Sequence, residues 1–117
     1  MAIPHSAPGD LIDVRPLGTA LSSARTHALF KSDDLELIRI VLAAGQELPM
    51  HTVEGEITLQ CIEGSADVSY NAGVRRLDAG QLMLLSGGDM HGVRGVQDTS
   101  LLLTIALKKN GATQRPF

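Results

Sequence analysis

Tryptophan is absent from this sequence, and the other aromatic residues are only Tyr70, Phe30 and Phe117. Nucleic-acid binding usually needs a basic surface and aromatic rings on which bases stack. Thirteen carboxylates outnumber ten Lys and Arg, for a net charge of −3. The pairs Arg75-Arg76 and Lys108-Lys109 are too short to reverse that balance. No nucleic-acid partner is expected. Cysteine occurs once, as Cys61, which excludes an internal disulfide framework and fits a reducing compartment. Apolar runs stay far below the roughly 20 residues that span a bilayer. The start, Met-Ala-Ile-Pro-His-Ser, lacks the basic-then-apolar pattern of a signal peptide. The expectation is a cytoplasmic protein with no membrane partner.

Helical periodicity is also missing, since no segment of ten or more residues keeps an apolar period of 3.6. Neither a Ser-His-Asp nor a Cys-His arrangement occurs, nor a glycine loop that would cradle phosphate, which argues against acyl and phosphoryl transfer. What remains is a series of short β-type runs at residues 35–43, 56–62, 66–70, 74–77, 82–85, 91–96 and 100–107. Seven of the twelve glycines fall at their joints. Such spacing predicts an all-β sandwich or closed barrel in a single domain spanning 1–117. The proline-bearing stretch 1–16 reads as an extended arm, 18–24 as a short helical turn, and 108–117 as a loose tail.

Two glycine-bounded segments carry a resemblance. The first is Gly45-Gln-Glu-Leu-Pro-Met-His51, followed by Glu56-Ile-Thr-Leu-Gln60 and closed by Glu63-Gly64. The second is Gly80-Gln-Leu-Met-Leu-Leu-Ser86-Gly-Gly88-Asp-Met-His91. Together they resemble the two motifs of the cupin superfamily, small RmlC-like jelly-roll barrels with a metal site inside. The resemblance spans 35–107 and implies a cupin-type jelly-roll β-barrel. Against the superfamily pattern, Val53 stands where a second histidine is usual, Ile57 where a glutamate is usual, and Ser86 where a proline is usual. The pattern is closer to a subgroup of small single-domain cupins in which His51, Glu56 and Gln60 fit the first motif. Members of that subgroup are mostly of unassigned function, so the resemblance implies a fold and a site, not a substrate.

The implied metal ligands are His51, Glu56, Gln60 and His91, around a divalent Fe, Ni, Mn or Zn ion. Side chains alternate along a strand, so Glu56, Thr58 and Gln60 share one face while Ile57, Leu59 and Cys61 share the other. If the polar face lines the cavity, Glu56 and Gln60 reach the site; if the apolar face does, both are solvent-facing groups. The subgroup pattern favours the first. Cys61 reads as an inert buried thiol, and Met50, Met83 and Met90 as core fillers or an apolar lining of the mouth. His5 and His27 read as surface residues.

Three functions stay open: a metal-dependent oxygenase or isomerase acting on a small organic molecule, a barrel that binds or senses a small molecule without turnover, and a structural dimer module with a vestigial site. Runs 35–43 and 101–107 are apolar at consecutive positions, whereas an antiparallel sheet normally leaves one face polar. A homodimer is therefore expected, covering the outer face and with the arm reaching to the neighbour or folding back.

Overall fold

The structure is a computed structural model and describes residues 6–107. The expected tail 108–117 and His5 lie outside the described residues. A short 3-10 turn, Gly18–Ser23, precedes nine strands: β1 (His27–Lys31), β2 (Leu35–Leu42), β3 (Glu47–His51), β4 (Ile57–Glu63), β5 (Ser65–Tyr70), β6 (Gly73–Asp78), β7 (Leu82–Leu85), β8 (His91–Gly95) and β9 (Thr99–Ala106). They form a five-stranded sheet, β1-β2-β9-β4-β7, and a four-stranded sheet, β3-β8-β5-β6. Every pairing is antiparallel.

The seven anticipated runs correspond to β2 and β4–β9. Two strands were not anticipated. β1 is short, and β3 carries Pro49 and Glu47, residues that read as loop but suit an edge strand, where a missing N–H breaks no ladder.

Between the sheets lies one apolar core. The larger sheet gives it Ile40, Leu42, Ile57, Leu59, Cys61, Leu85 and Leu101; the smaller gives Ala66, Val68, Leu77 and Val93. This settles the phase of β4. Ile57, Leu59 and Cys61 are buried, while Thr58 and Gln60 between them are half-buried on the other face. The expectation that the polar face looks inward is corrected: Glu56 and Gln60 do not face the interior. Burying a large apolar side chain is worth about 1.5–3 kcal/mol, and the opposite phase would trade two such burials and the Cys61 thiol for a carboxylate and an amide.

The outer faces of β2 and β9 are covered in part by the chain's own arm. Arg39, only 3% exposed, donates through Nη2 to the carbonyls of Asp13 (3.3 Å) and Arg15 (3.1 Å) and through Nη1 to Ser100 Oγ (3.4 Å). Glu63 accepts from the Leu17 N–H (2.8 Å), the Gly18 N–H (3.1 Å) and the Ser100 hydroxyl (2.6 Å). Farther out, the Ser6 N–H donates to the Leu29 carbonyl of β1 at 3.1 Å. The arm thus folds back on its own barrel, and the consecutive apolar run of β2 includes one cation that holds it there.

Candidate functional site

β3 and β8 are neighbours, and their register sets His51 directly opposite His91. Opposed residues of an antiparallel pair share a face, and Val93, two residues on from His91, packs in the core, so the buried His91 lies on the inner side and His51, which is exposed, stands beside it at the open end. Their ring centroids are 4.5 Å apart and the planes are tilted by 56°. Residues forty apart in sequence therefore form one pair, beside the β3–β4 and β7–β8 connections.

Those connections are laced together. The Gly88 N–H donates to the Val53 carbonyl at 2.7 Å, and the Ala106 N–H donates to the Glu56 carbonyl at 3.0 Å. A Cβ on Gly87 would run into the Glu54 carbonyl, and one on Gly55 into the Ala106 carbonyl. Close backbone approach is what glycine permits at both points. The histidines thus project from strand ends whose flanking loops are fixed.

Each ring is also held by its own backbone. His51 Nδ1 lies 3.0 Å from the Pro49 carbonyl, and His91 Nδ1 lies 3.3 Å from the Asp89 carbonyl. A carbonyl can only accept, so each Nδ1 carries the proton, and a ring in this tautomer has its lone pair on Nε2. Burial pushes the His91 pKa below its ordinary value, the nearby His51 ring adds to that, and the Asp89 carbonyl works against it. His91, 4% exposed, is accordingly a neutral acceptor at neutral pH.

The donor set around this pair is small. Among the described residues, no group of three or more His, Cys, Asp and Glu side chains comes together as a metal site. Glu56 is exposed, and Gln60 sits on the outer face between Leu82 and Leu102. Both positions where the superfamily pattern places further ligands hold apolar chains: Ile57 is 2% exposed within the core, and Val53 packs against it. The residues present fit two positions of a metal's coordination sphere and supply neither the three protein donors of an open catalytic site nor the four of a closed one. Cys61 does not join them; burial pushes its thiol up to about 11, with the Asp78 charge adding to the effect.

Arg39 and Glu63, which fasten the arm, were not singled out from the sequence. The available signal was a lone arginine inside the apolar run Leu-Ile-Arg-Ile-Val-Leu.

The comparisons agree on architecture. A cupin superfamily protein from Desulfitobacterium hafniense superposes with a TM-score of 0.71 at 17% identity, covering 84% of this chain and 95% of that one. An RmlC-like cupin from Desulfovibrio desulfuricans superposes at 0.65 with 24% identity, covering 91% and 97%. The chain has the cupin fold. Salicylate 1,2-dioxygenase from Pseudoaminobacter salicylatoxidans also superposes on this cupin barrel, at 0.60 with 19% identity, over 62% of this chain but 21% of the dioxygenase. Neither a protein-family model nor a curated protein matches the sequence. Among the described residues, no helix is long and apolar enough to cross a membrane.

Proposed function

We propose that this cupin barrel binds a small organic molecule through the His51–His91 pair, as a binding or sensing module. The observation that carries this reading is the commitment of both Nδ1–H groups to backbone carbonyls, which leaves the two Nε2 atoms as the acceptors of rings whose centroids are 4.5 Å apart. Two such acceptors suit hydroxyl or amine hydrogens on a partly apolar molecule, because Val53 and Ile57 bring no further charge to the barrel interior. A dioxygenase of the same fold is solved in complex with gentisate, so a small organic ligand is in keeping with the architecture.

The same tautomer supports a second reading, a divalent Fe, Ni, Mn or Zn ion held by His51 and His91 alone. Two protein donors leave the remaining coordination to water or ligand, and such a site binds weakly beside a three-donor one.

Two measurements separate these readings. Saturation-transfer NMR with a mixture of small hydroxy acids, phenols and diols is expected to show hits on the wild type that are lost in His51→Ala and in His91→Ala. Hits that persist in both variants contradict the binding reading. Metal analysis of protein purified without a histidine tag is expected to find well under one ion per chain. One tightly held ion per chain would put the metal reading first.

A further inference from the structure

Sheet edges are natural templates for another strand, and proteins normally protect them with charge, proline, short length or a covering segment. Four strands in this barrel have a hydrogen-bonded neighbour on one side only: β1, β7, β3 and β6. β1 ends in Lys31, and the Ser6 N–H from the arm donates to its Leu29 carbonyl. β3 contains Pro49, and its Glu47 sits 4.0 Å from Arg94. β6 carries Arg75 and Arg76. β7, which reads Leu-Met-Leu-Leu, has no charge, no proline and, among the described residues, no covering segment, and only its length of four residues limits it as an edge.

The outer side of β7 is also the part of the sheet that the arm leaves bare. Leu82 is 61% exposed and Leu84 is 64% exposed. Next to them on that face, by register, come Gln60 and Thr58, then Leu102 and Thr104. The first charge along either row is Arg39, opposite Leu102 on β2 and already buried beneath the arm. This strip can be covered without burying an unpaired charge.

We propose that β7 is a homodimer edge, pairing antiparallel with β7 of a second copy so that the five-stranded sheet continues across a two-fold axis. A second copy fits because the edge complements itself. Antiparallel pairing centred on Met83 sets Leu82 opposite the partner's Leu84, and Leu84 opposite the partner's Leu82, on one face. A two-fold contact of this kind closes on itself and does not propagate. The strip is narrow beside the roughly 800 Å² per partner of a standard stable interface, so the dimer dissociates on dilution. This inference is independent of the histidine pair, and it places the contact at the β7 edge, not across β2 and β9, whose outer faces the arm partly covers.

Sedimentation velocity on the full chain, over a concentration series, is the test. The mass should rise from 12.4 kDa toward twice that value. Leu82→Lys and Leu84→Lys should each raise the concentration needed for dimer by about tenfold or more, with unchanged circular dichroism and melting. Val74→Lys, on the β6 edge and 64% exposed, should leave the association as it is. Amide exchange gives a readout without substitution, because the Leu82 and Leu84 N–H groups, which point away from β4, should slow as concentration rises. A wild type that stays monomeric at the highest concentration overturns the proposal. So does a dimer that survives both β7 substitutions, one that Val74→Lys weakens equally, or β7 amides that ignore concentration.

Discussion

Gly64 and Gly80 have nearly the same backbone conformation, with φ of 82° and 89°, but different surroundings. Replacing each with alanine therefore separates backbone strain from lack of space. The left-handed conformation costs a residue with a Cβ about 1–2 kcal/mol. At Gly80 a Cβ would meet nothing within 4 Å, so Gly80→Ala should lose about 1 kcal/mol and no more than about 2. At Gly64 the Cβ would run into the Asp98 carbonyl and sit 2.9 Å from Thr99 Cα. That backbone cannot swing aside cheaply. Thr99 Oγ1 accepts from the Ser65 N–H at 3.1 Å and donates to the Ser65 carbonyl at 2.9 Å, which ties β9 to β5 at this point. Overpacking adds about 1–3 kcal/mol, for a total near 2–5 kcal/mol with the strain. Urea unfolding followed by circular dichroism measures both. In a domain of this size 1 kcal/mol moves the melting temperature by about 4–8 °C, so thermal melts should resolve the pair as well. Equal losses for the two variants would refute the reasoning, because they would mean that the close approach between the β4–β5 turn and the start of β9 does not exist.

Other consequences follow from the titratable groups. Burial lowers the His91 pKa from its ordinary 6.5, so the unfolded chain takes up a proton that the folded chain resists. Stability should fall as pH drops below about 6.5 and level off below the folded value; His91→Gln should flatten that part of the curve, and an unchanged curve would contradict the burial. For Glu63, burial alone would raise the pKa, but the hydrogen bonds from Ser100, Leu17 and Gly18 and the Arg39 charge bring it below its ordinary 4.5. Its contribution is therefore complete above about pH 4.5 and lost as pH falls through the folded value. At neutral pH, Glu63→Gln should speed exchange of the Leu17 and Gly18 amides by about tenfold, the effect of losing charge-assisted bonds worth near 1.4 kcal/mol; unaltered exchange would mean that the carboxylate does not hold the arm. Cys61, fully buried with its thiol pushed up to about 11, should resist a thiol reagent at pH 8 until urea unfolds the chain, and prompt labelling of the native protein would speak against its placement.

Most of the barrel was legible because the physics that makes strands is local. Branched and apolar residues between glycines mark β2 and β4 through β9, and the reversal at Asn71-Ala72-Gly73 joins β5 to β6. β3 was not legible, since Pro49 and two flanking polar groups look like loop until the strand is seen to be an edge. Which face of β4 points inward was the decisive ambiguity. Alternation fixes that Glu56 and Gln60 oppose Ile57, Leu59 and Cys61, but only the second sheet, with Val68 and Val93 waiting opposite, decides between the faces. The pairing of His51 with His91 depends on a register between strands forty residues apart, which the glycine frames suggest and no local rule could supply. Arg39 shows the same limit, because one of its acceptors, Ser100, is 61 residues away.

The histidine tautomers test the central claim most directly. A long-range ¹H–¹⁵N correlation spectrum of the uniformly labelled protein at neutral pH distinguishes protonated from bare ring nitrogens. His51→Ala and His91→Ala spectra identify which signals belong to each ring. Both rings should show a protonated Nδ1 and a bare Nε2, as the Pro49 and Asp89 carbonyls require. Rings protonated at Nε2 would contradict the account, because they would leave no pair of lone pairs to receive a ligand.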